Sequence, residues 1–281
     1  MPSTDKKVAF IGAGMMGSAM IKGIVEGGLI APHDLIAVDP DQAKGAKLVR
    51  EFGILHAMDS HGVVEHVNIL VLAIKPQYFH IACQQLRGQL SEVDLVISIM
   101  AGVTIDTIKT ALNVSSVVRA MPNTPGAIGQ GMTVWVASSA VNDEYLAITE
   151  QLLSALGVVM RVQQEQAIDM STAVSGSGPA FVLLFVEAMI DAAVHLGFTR
   201  PEAQTLVMQT IKGTSAYLEA SGEHPAVLRN QVTSPAGTTA EGLYHLEHEG
   251  FRHAIARAIW GAYQRSSQLG GKTPRNPDTS T

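Results

Sequence analysis

One short segment near the start of the chain restricts the possible folds more than any other. Residues 8–11, VAFI, form an apolar run, Gly12, Gly14 and Gly17 follow at the spacing G-x-G-x-x-G, and a helix-like pattern begins directly afterwards. Glycine permits tight turns and close backbone approaches that a side chain would prevent. A strand, a glycine-rich turn and a helix in this order are typical of the first unit of a doubly wound α/β domain.

Each glycine has its own expected role in such a unit. Gly12 permits the tight turn, Gly14 lets the backbone approach a pyrophosphate, and Gly17 lets the helix pack closely on the sheet. The unpaired N–H groups of the helix start would bind the pyrophosphate of a dinucleotide. Asp39, at the end of the second predicted strand, would accept hydrogen bonds from ribose hydroxyls. The alternative is a strand–helix turn that merely tolerates glycines.

The pattern of strands and helices divides the chain into two parts. Strands alternate with helical patterns in the first part, which predicts a parallel, doubly wound sheet. Strand patterns stop after Glu165, so we predict a dinucleotide-binding domain over 1–163 and a helical domain over 164–281, with a frayed polar tail from about 270. The predicted strands are Val8–Ile11, Leu35–Val38, Asn68–Ile74, Leu95–Met100, Ser116–Ala120, Met132–Ala137 and Val158–Val162.

The predicted helix Pro179–Leu196 is apolar on almost every side and must therefore be covered. A second copy of the chain is the cover that we expect, which predicts a homodimer; a central helix wrapped by its own neighbours is the alternative. The longest apolar run, Phe181–Gly197, contains Glu187 and Asp191. We expect it to be too short to span a bilayer, so no membrane association is predicted.

Composition bears on compartment and partners. The net charge of −6 provides no basis for binding nucleic acid, which depends on basic patches. The single cysteine, Cys83, fits a reducing compartment, and no secretory segment precedes the first strand, so we expect a cytoplasmic protein. His245 and His248 lie near Glu241 and Glu249, but zinc sites usually draw ligands from more than one element, so we expect no metal.

Three further loops are predicted at the same edge of the sheet as the glycine-rich turn. They contain Lys75-Pro76, Ala101 and Asn123, each after a predicted strand. Ligands of doubly wound folds bind outside the carboxyl ends of the strands. Lys75 is therefore a candidate cofactor contact, with a solvated lysine as the alternative. Asn123 offers an amide donor and acceptor in a rigid turn, which is equally compatible with a plain turn.

Six segments carry a resemblance to a known family. IGAGMMGSAMIKGI, AIKPQ, MAGVTI, RAMPNTP, SGSGPAF and VTSPAGTTAEGL occur in this order between about residues 8 and 269, and the chain closely resembles Δ1-pyrroline-5-carboxylate reductase. The resemblance implies reduction of the cyclic imine pyrroline-5-carboxylate to L-proline with NADH or NADPH. It implies an α/β Rossmann-type domain followed by an all-helical dimerisation domain, with dimers that in several members form a ring of five.

The resemblance also implies roles for individual positions. The pyrophosphate contacts would be Gly12, Gly14, Met15, Met16 and Gly17. Ala73, Lys75, Pro76 and Ala101 would line the path to the nicotinamide, with Asn123 beside its ribose. The pocket wall would contain Gly176, Ser177, Gly178 and Pro179. The substrate carboxylate would be received by Ser234, Gly237, Thr238 and Thr239, with the Thr239 hydroxyl near the ring nitrogen as the catalytic group.

Three positions depart from the common residues of the family. Ala236 occurs where the family usually has glycine, and we expect it in an ordinary backbone region, because alanine at positive φ costs about 1 kcal/mol or more. Asn230 stands where aspartate is common, and Gly222 where some members have glutamate. The roles of these two positions stay open.

The segment 234–239, SPAGTT, allows two interpretations. Ser234-Pro235 suits a cap and first turn, and Thr238 with Glu241 has the spacing of a capping box, so the segment could simply begin a helix. The same helix start carries unpaired N–H groups that suit a small carboxylate. A protonated imine is already electrophilic, so the protein needs no strong base, and hydroxyls such as Thr239 and Ser177 can orient the nitrogen.

The sequence leaves two alternative functions to consider and predicts which nicotinamide cofactor is preferred. A β-hydroxyacid dehydrogenase typically needs a lysine on the first long helix of its second domain, but residues 175–194 contain neither lysine nor arginine. An NAD-sensing scaffold would bind the cofactor without turnover. Asp39 predicts a preference for NADH over NADPH, because a 2′-phosphate would meet like charge there. Lys44 and Lys47 on the following helix oppose that preference.

Overall fold

This computed structural model describes residues 6–271. The predicted tail lies outside that range, apart from residues 270 and 271. The first part of the chain forms a single sheet of eight strands. The strands are β1 Val8–Ile11, β2 Leu35–Val38, β3 Leu55–Ala57, β4 Ile69–Leu72, β5 Leu95–Ser98, β6 Val117–Met121, β7 Gly131–Ala137 and β8 Gly157–Arg161. Their order in the sheet is β3-β2-β1-β4-β5-β6-β7-β8. The strand order therefore reverses between β1 and β4, and ligands of such sheets bind beyond the carboxyl ends at this point.

Helices cover both faces of the sheet and continue alone after it. They are α1 Met15–Glu26, α2 Gln42–Phe52, α3 Phe79–Leu86, α4 Ile105–Leu112, α5 Asp143–Ser154, α6 Gln166–Ser171, α7 Gly178–His195, α8 Arg200–Ser221, α9 Pro225–Gln231, α10 Thr238–His248 and α11 Phe251–Leu269. All residues of β1 and β4 are buried, which explains their continuous apolar sequence. One apolar core, with Met20 and Trp135, lies on one face; the other, with Leu70 and Ile108, lies on the opposite face.

The sheet differs from the predicted one in two respects. Strand β3 is absent from the predicted set, because it has only three residues at the sheet edge and its Leu55 is 51% exposed. Strand β7 pairs antiparallel with β6, whereas a parallel sheet was predicted. The connection between them is short and contains a 3₁₀ helix, Thr124–Ile128, and parallel neighbours would need a long crossover.

The described chain forms two compact units. The first runs to Ser177 and resumes at Gly261, and the second is Gly178–Trp260. The first unit contains the sheet and α1–α6, and the second contains α7–α10 with the first part of α11. The predicted boundary near Gln163 falls between the end of β8 and the start of α6, where strands give way to helices.

The end of α11 packs within the first unit. Gln166 Nε2 donates to the Tyr263 hydroxyl oxygen at 2.9 Å, and Ser266 Oγ donates to Asp169 Oδ1 at 3.3 Å. The same Asp169 pairs at 2.8 Å with Arg119, which is 1% exposed on β6. A Cβ atom at Gly102 would lie 2.9 Å from the Cβ atom of Leu269. These contacts join the last turns of α11 to the sheet domain.

The apolar helix of the second unit is largely uncovered in a single chain. Leu183 and Leu184 on α7 are 65% and 66% exposed, and Val186 is the buried residue of this helix. The largely helical segment Gln166–His195 contains an 18-residue window with a mean hydropathy of 1.7, and 11% of that window is buried. By length and composition alone it could cross a membrane, and it is the one such stretch among the described residues. The apolar run Phe181–Gly197, for which a span was excluded by its length, thus lies mostly within a longer helical segment that begins at Gln166.

Candidate active site

The glycine-rich turn forms a tight cradle between β1 and α1. Gly12 has a φ of +102°, and a Cβ atom there would lie 2.8 Å from the Ala73 carbonyl oxygen. A Cβ atom at Gly17 would lie 2.5 Å from the Gly12 carbonyl oxygen. Packing thus requires glycine at both positions. Gly14, the N-cap of α1, has open space instead and no side-chain cap, so the first N–H groups of α1 remain available to an anion.

Asp39 is bonded to this turn through its carboxylate. The side chain is 8% exposed, Oδ2 accepts from the Ala13 N–H at 2.8 Å, and Oδ1 accepts from the Asp41 N–H at 2.9 Å. His56 Nε2 donates to the Asp39 carbonyl oxygen at 3.0 Å. The sequence pattern predicts ribose contacts for Asp39 but does not reveal these bonds. Because each oxygen has a further lone pair, the carboxylate can still accept from a ligand.

Asp41, two residues later, lies exposed at the start of α2. Its Oδ1 accepts from the N–H groups of Ala43 and Lys44, and Lys44 Nζ lies 3.2 Å from its Oδ2. The hydrogen bond from the Lys44 side chain lowers the pKa of Asp41. The same bond raises the pKa of Lys44. The charge of Lys44 is therefore already partly balanced within the loop.

Two cavities adjoin the turn. One, of about 440 Å³, lies between the Asp39–Asp41 loop and the side chains of Tyr78 and Ile81, and Asp59 also lines it. The other, of about 380 Å³, is lined by Gly14 and Met15 and by three lysines, Lys22, Lys44 and Lys47. The sequence predicted no role for Tyr78 and Ile81, which lie outside the recognised motifs, or for Lys22, which lies within the first motif but carries no expected contact.

The other predicted cofactor residues follow neighbouring strands at the same edge. Ala73 lies directly after β4 and donates its N–H to the Ile11 carbonyl oxygen at 2.9 Å. Lys75 and Pro76 are exposed at the start of a 3₁₀ helix, and Ala101 is half-buried after β5. Asn123 follows β6, and its amide bonds to protein groups on both sides. Met16 lies with Met15 in the first turn of α1.

The second unit contains the start of α10. This helix begins at Thr238 with Gly237 as its N-cap, and no side chain caps it. The predicted capping box is wrong, because Thr238 is already the first helical residue and Glu241 pairs instead with His245 at 3.4 Å. Ser234 and Pro235 precede the helix in a turn closed by a hydrogen bond from the Gly237 N–H to the Ser234 carbonyl oxygen. The first N–H groups of α10 therefore have no side-chain acceptor within the described chain.

The backbone of this turn is strained at Ala236. Its φ is +58°, so the expectation of an ordinary backbone region is wrong. The turn needs a left-handed residue two positions before the helix, and glycine would occupy it without the steric penalty. A Cβ atom at Gly237 would lie 2.4 Å from Ser234 Oγ. Gly222 also has a positive φ, of +63°, and ends α8, which suits glycine at that position.

Four hydroxyls at the predicted substrate positions, including that of Ser234, make no hydrogen bond within residues 6–271. The other three belong to Ser177, at the end of the first segment of the first unit, and to Thr238 and Thr239 on α10. Gly178 begins α7, and the exposed Asn230 lies on α9. Burial raises the pKa of the Cys83 thiol to about 11, so this cysteine is not a ready nucleophile. No group of three metal-ligating side chains occurs in the part of the chain that the structure describes.

Sequence comparison identifies the family. Residues 165–269 match the family model described as pyrroline-5-carboxylate reductase dimerisation, and residues 7–102 match that of a coenzyme F420-dependent NADP oxidoreductase. A pyrroline-5-carboxylate reductase of Synechocystis sp. is 38% identical over 266 residues, which cover 95% of this chain and 99% of the relative. The chain belongs to the pyrroline-5-carboxylate reductase family. The predictions of this family, and of a reductase of proline biosynthesis as the function, are thereby confirmed.

Solved structures of pyrroline-5-carboxylate reductases share the fold. The enzyme of Coxiella burnetii is 31% identical, with a TM-score of 0.87 and coverage of 97% of this chain and 100% of that one. The Plasmodium falciparum reductase, whose structure holds NADP, is 30% identical with a TM-score of 0.86, covering 96% and 100%. The predicted fold class, a Rossmann-type sheet followed by an all-helical dimerisation domain, is confirmed. The dimerisation match also supports the predicted homo-oligomer, and the matched residues include α7.

Proposed function

We propose that this chain reduces Δ1-pyrroline-5-carboxylate to L-proline as an NAD(P)H-dependent oxidoreductase acting on a C=N bond. The observation that carries the proposal is the uncapped start of α10, where two threonine hydroxyls without internal partners adjoin free helix N–H groups. A helix start of this kind suits a small carboxylate, and the hydroxyls suit a ring nitrogen. The substrate carries both groups on one small ring.

The glycine-rich cradle fits a dinucleotide. Its packing leaves no room for side chains at Gly12 and Gly17, and it keeps the N–H groups after Gly14 open. We assign the pyrophosphate to this cradle, with Met15 and Met16 beside it. We assign Ala73, Lys75, Pro76, Ala101 and Asn123 to the path toward the nicotinamide. When bound, NADH or NADPH supplies a hydride for the imine carbon.

The residues of the chain bind and orient the substrate. The first N–H groups of α10 receive its carboxylate, together with the turn of Ser234 and Gly237. The Thr239 hydroxyl oxygen accepts a hydrogen bond from the protonated ring nitrogen, which places the imine in one orientation. Ser177 and Gly178 contribute to the pocket wall. Because the protonated imine is electrophilic, orientation rather than a strong base is the contribution of the protein.

A Thr239→Ala variant tests this assignment. We expect kcat/KM for pyrroline-5-carboxylate to fall about ten- to a hundredfold, since one hydrogen bond to a charged group contributes about 1.5–3 kcal/mol. NADH affinity should stay within about twofold, because the glycine-rich cradle that we assign to the cofactor is unchanged. The assay follows NADH absorbance with the imine as substrate. Thr205→Ala, on α8, is a matched control for loss of a threonine hydroxyl.

The outcomes of this assay separate the alternatives. Cofactor binding without turnover by the wild type would favour an NAD-sensing scaffold. Turnover of a β-hydroxyacid with NAD instead of the imine would favour the dehydrogenase. An active wild type with unchanged kcat/KM in Thr239→Ala would remove Thr239 from the catalytic assignment.

We further propose that the enzyme prefers NADH to NADPH. Three carboxylates, Asp39, Asp41 and Asp59, line the cavity after β2, and Lys44 beside them is paired with Asp41. A 2′-phosphate placed there would meet net negative charge. Lys22 and Lys47 line the neighbouring cavity with Lys44 and oppose this preference. A higher kcat/KM with NADPH than with NADH would contradict the proposal.

Assembly and location complete the proposal. We infer a homodimer formed through the helical unit, as the exposed apolar residues of α7 favour, and a ring of five such dimers, as the family resemblance implies. Light scattering on the purified protein separates the free dimer from the ring. We expect a cytoplasmic enzyme that binds neither nucleic acid nor membranes, in keeping with its net charge of −6 and single cysteine.

A further inference from the structure

The amide of Asn123 connects three parts of the first unit. Asn123 itself follows β6, its Oδ1 accepts from the Met132 N–H at 2.9 Å, and its Nδ2 donates to the Ser175 carbonyl oxygen at 3.0 Å. Met132 lies on β7, and Ser175 lies between α6 and α7. The two bonds also determine the orientation of the amide, because a flipped amide would place donor against donor and acceptor against acceptor.

The segment that Asn123 contacts is a π-helical turn, Thr172–Gly176. The Ser177 N–H donates to the Thr172 carbonyl oxygen at 2.8 Å, which is the bond that defines such a turn. Turns of this type are rare and occur frequently at functional sites. This one is followed immediately by Ser177, whose hydroxyl we assigned to the substrate pocket.

The hydroxyls of the turn differ in their partners. Ser171 and Thr172 both donate to the Ile168 carbonyl oxygen, and Ser175 donates to the Ser171 carbonyl oxygen. The Ser177 hydroxyl has no hydrogen-bond partner within residues 6–271. Internal bonds therefore occupy three hydroxyls of this segment and leave that of Ser177 for a ligand.

We propose that Asn123 is a positioning residue for imine reduction, which acts by holding the π-helical turn and thereby the Ser177 hydroxyl. This inference rests on the proposed function. Met121 Cε would lie 3.4 Å from a Cβ atom at Gly176, so β6 also packs against the turn, but this contact does not restrict rotation as a hydrogen bond does. The Asn123 amide is thus the polar contact between the end of β6 and the turn. The role is additional to the ribose contact, for which the second N–H of the amide is still available.

Substitution with aspartate separates the two bonds of the amide. Asn123→Asp keeps an acceptor for the Met132 N–H, but it places a carboxylate oxygen against the Ser175 carbonyl oxygen. The π-helical turn should then lose its hydrogen bond to residue 123, whereas the hydrogen bond from Met132 on β7 is kept. If the aspartate variant is recovered unfolded, the smaller and uncharged Asn123→Ser variant removes the same donor.

A double-mutant cycle with Ser177→Ala tests the positioning role. We expect Asn123→Asp to lower kcat/KM for pyrroline-5-carboxylate about tenfold in the wild-type background, as for loss of one buried hydrogen bond. In the Ser177→Ala background the same change should cost less than about twofold, because the hydroxyl that it displaces is already absent. NADH affinity, measured by fluorescence titration, should change much less than kcat/KM. Asn142→Asp makes the same change at the N-cap of α5. It should leave kcat/KM unchanged in both backgrounds, and NADH affinity as well.

Two results would overturn the inference while the proposed function stands. One is a double variant in which kcat/KM falls by the product of the two single losses, which would show that Asn123 and Ser177 act independently. The other is a loss of NADH affinity as large as the loss of kcat/KM, which would make Asn123 a cofactor contact only. A wild-type enzyme that binds NADH without reducing the imine would instead overturn the proposed function, and this inference with it.

Discussion

Replacing Asp39 with asparagine should weaken both the fold and cofactor binding. The carboxylate accepts the N–H groups of Ala13 and Asp41 at 2.8 and 2.9 Å. Asparagine has one acceptor oxygen, so one of these N–H groups loses its partner and the other bonds to a neutral group. Exchange of a charged for a neutral acceptor costs about 1 kcal/mol, and an unpaired buried N–H about 1–3 kcal/mol.

We therefore expect a loss of about 2 kcal/mol in the free energy of unfolding, because water can partly replace the acceptor of the N–H of the exposed Asp41. For a chain of this size, that corresponds to a decrease in Tm of about 4–8 °C. NADH affinity should fall about tenfold or more, since Ala13 lies between Gly12 and Gly14 in the glycine-rich turn that we assign to the pyrophosphate. Thermal unfolding without cofactor and fluorescence titration with NADH measure the two effects.

Asp59→Asn provides the matched control. Asp59 lines the same cavity, and its carboxylate accepts an exposed N–H from His61 at 2.9 Å, so its substitution should change Tm little. An unchanged Tm of the free Asp39→Asn protein together with weakened NADH binding would contradict this prediction. Asp39 would then act only through the ribose.

Two further substitutions test the loop after β2 and the turn before α10. Asp41→Ser keeps a side chain that can cap α2 and removes the carboxylate paired with Lys44, so the ratio of kcat/KM for NADPH to that for NADH should rise about tenfold; an unchanged ratio in steady-state kinetics would exclude Asp41 as a determinant. Ala236→Gly relieves about 1 kcal/mol of left-handed strain, offset by about 0.4–1 kcal/mol of unfolded-state entropy, so Tm should stay equal or rise slightly. Ala236→Val should lower Tm clearly, and equal Tm values for the two variants would contradict the positive φ.

The sequence predicted those elements that can be recognised from the residues of one continuous segment. The strand β1, the turn through Gly12 and Gly17, and the helix α1 follow from one continuous segment, and the predicted bounds of β1 and β2 agree with the structure. Strand β3 has no such signal, because its residues are few and partly exposed and only the pairing with β2 defines it. The direction of β7 is also absent from the pattern, since an apolar run reads the same in both directions.

The polar contacts of the candidate site were not predictable from local sequence patterns either. The spacing of Thr238 and Glu241 matches a capping box, but the turn of Ser234–Gly237 moves the helix start so that Thr238 cannot cap it. Asp39 is recognisable by its place after β2, whereas its bond to Ala13 depends on the fold of the turn. Asn123 reaches an acceptor 52 positions away along the chain, which no local pattern can reveal.

The return of α11 to the first unit has a consequence for synthesis of the protein on the ribosome. Residues 6–177 emerge first, but Gln166, Asp169 and Gly102 find their α11 partners only when the chain has been made to Leu269. The sheet domain therefore cannot complete its packing until all of Gly178–Trp260 and the end of α11 have been synthesised. A nascent chain or a truncated fragment that stops before α11 would leave these surfaces exposed to solvent, and exposed surfaces of this kind are what chaperones bind in incompletely folded chains.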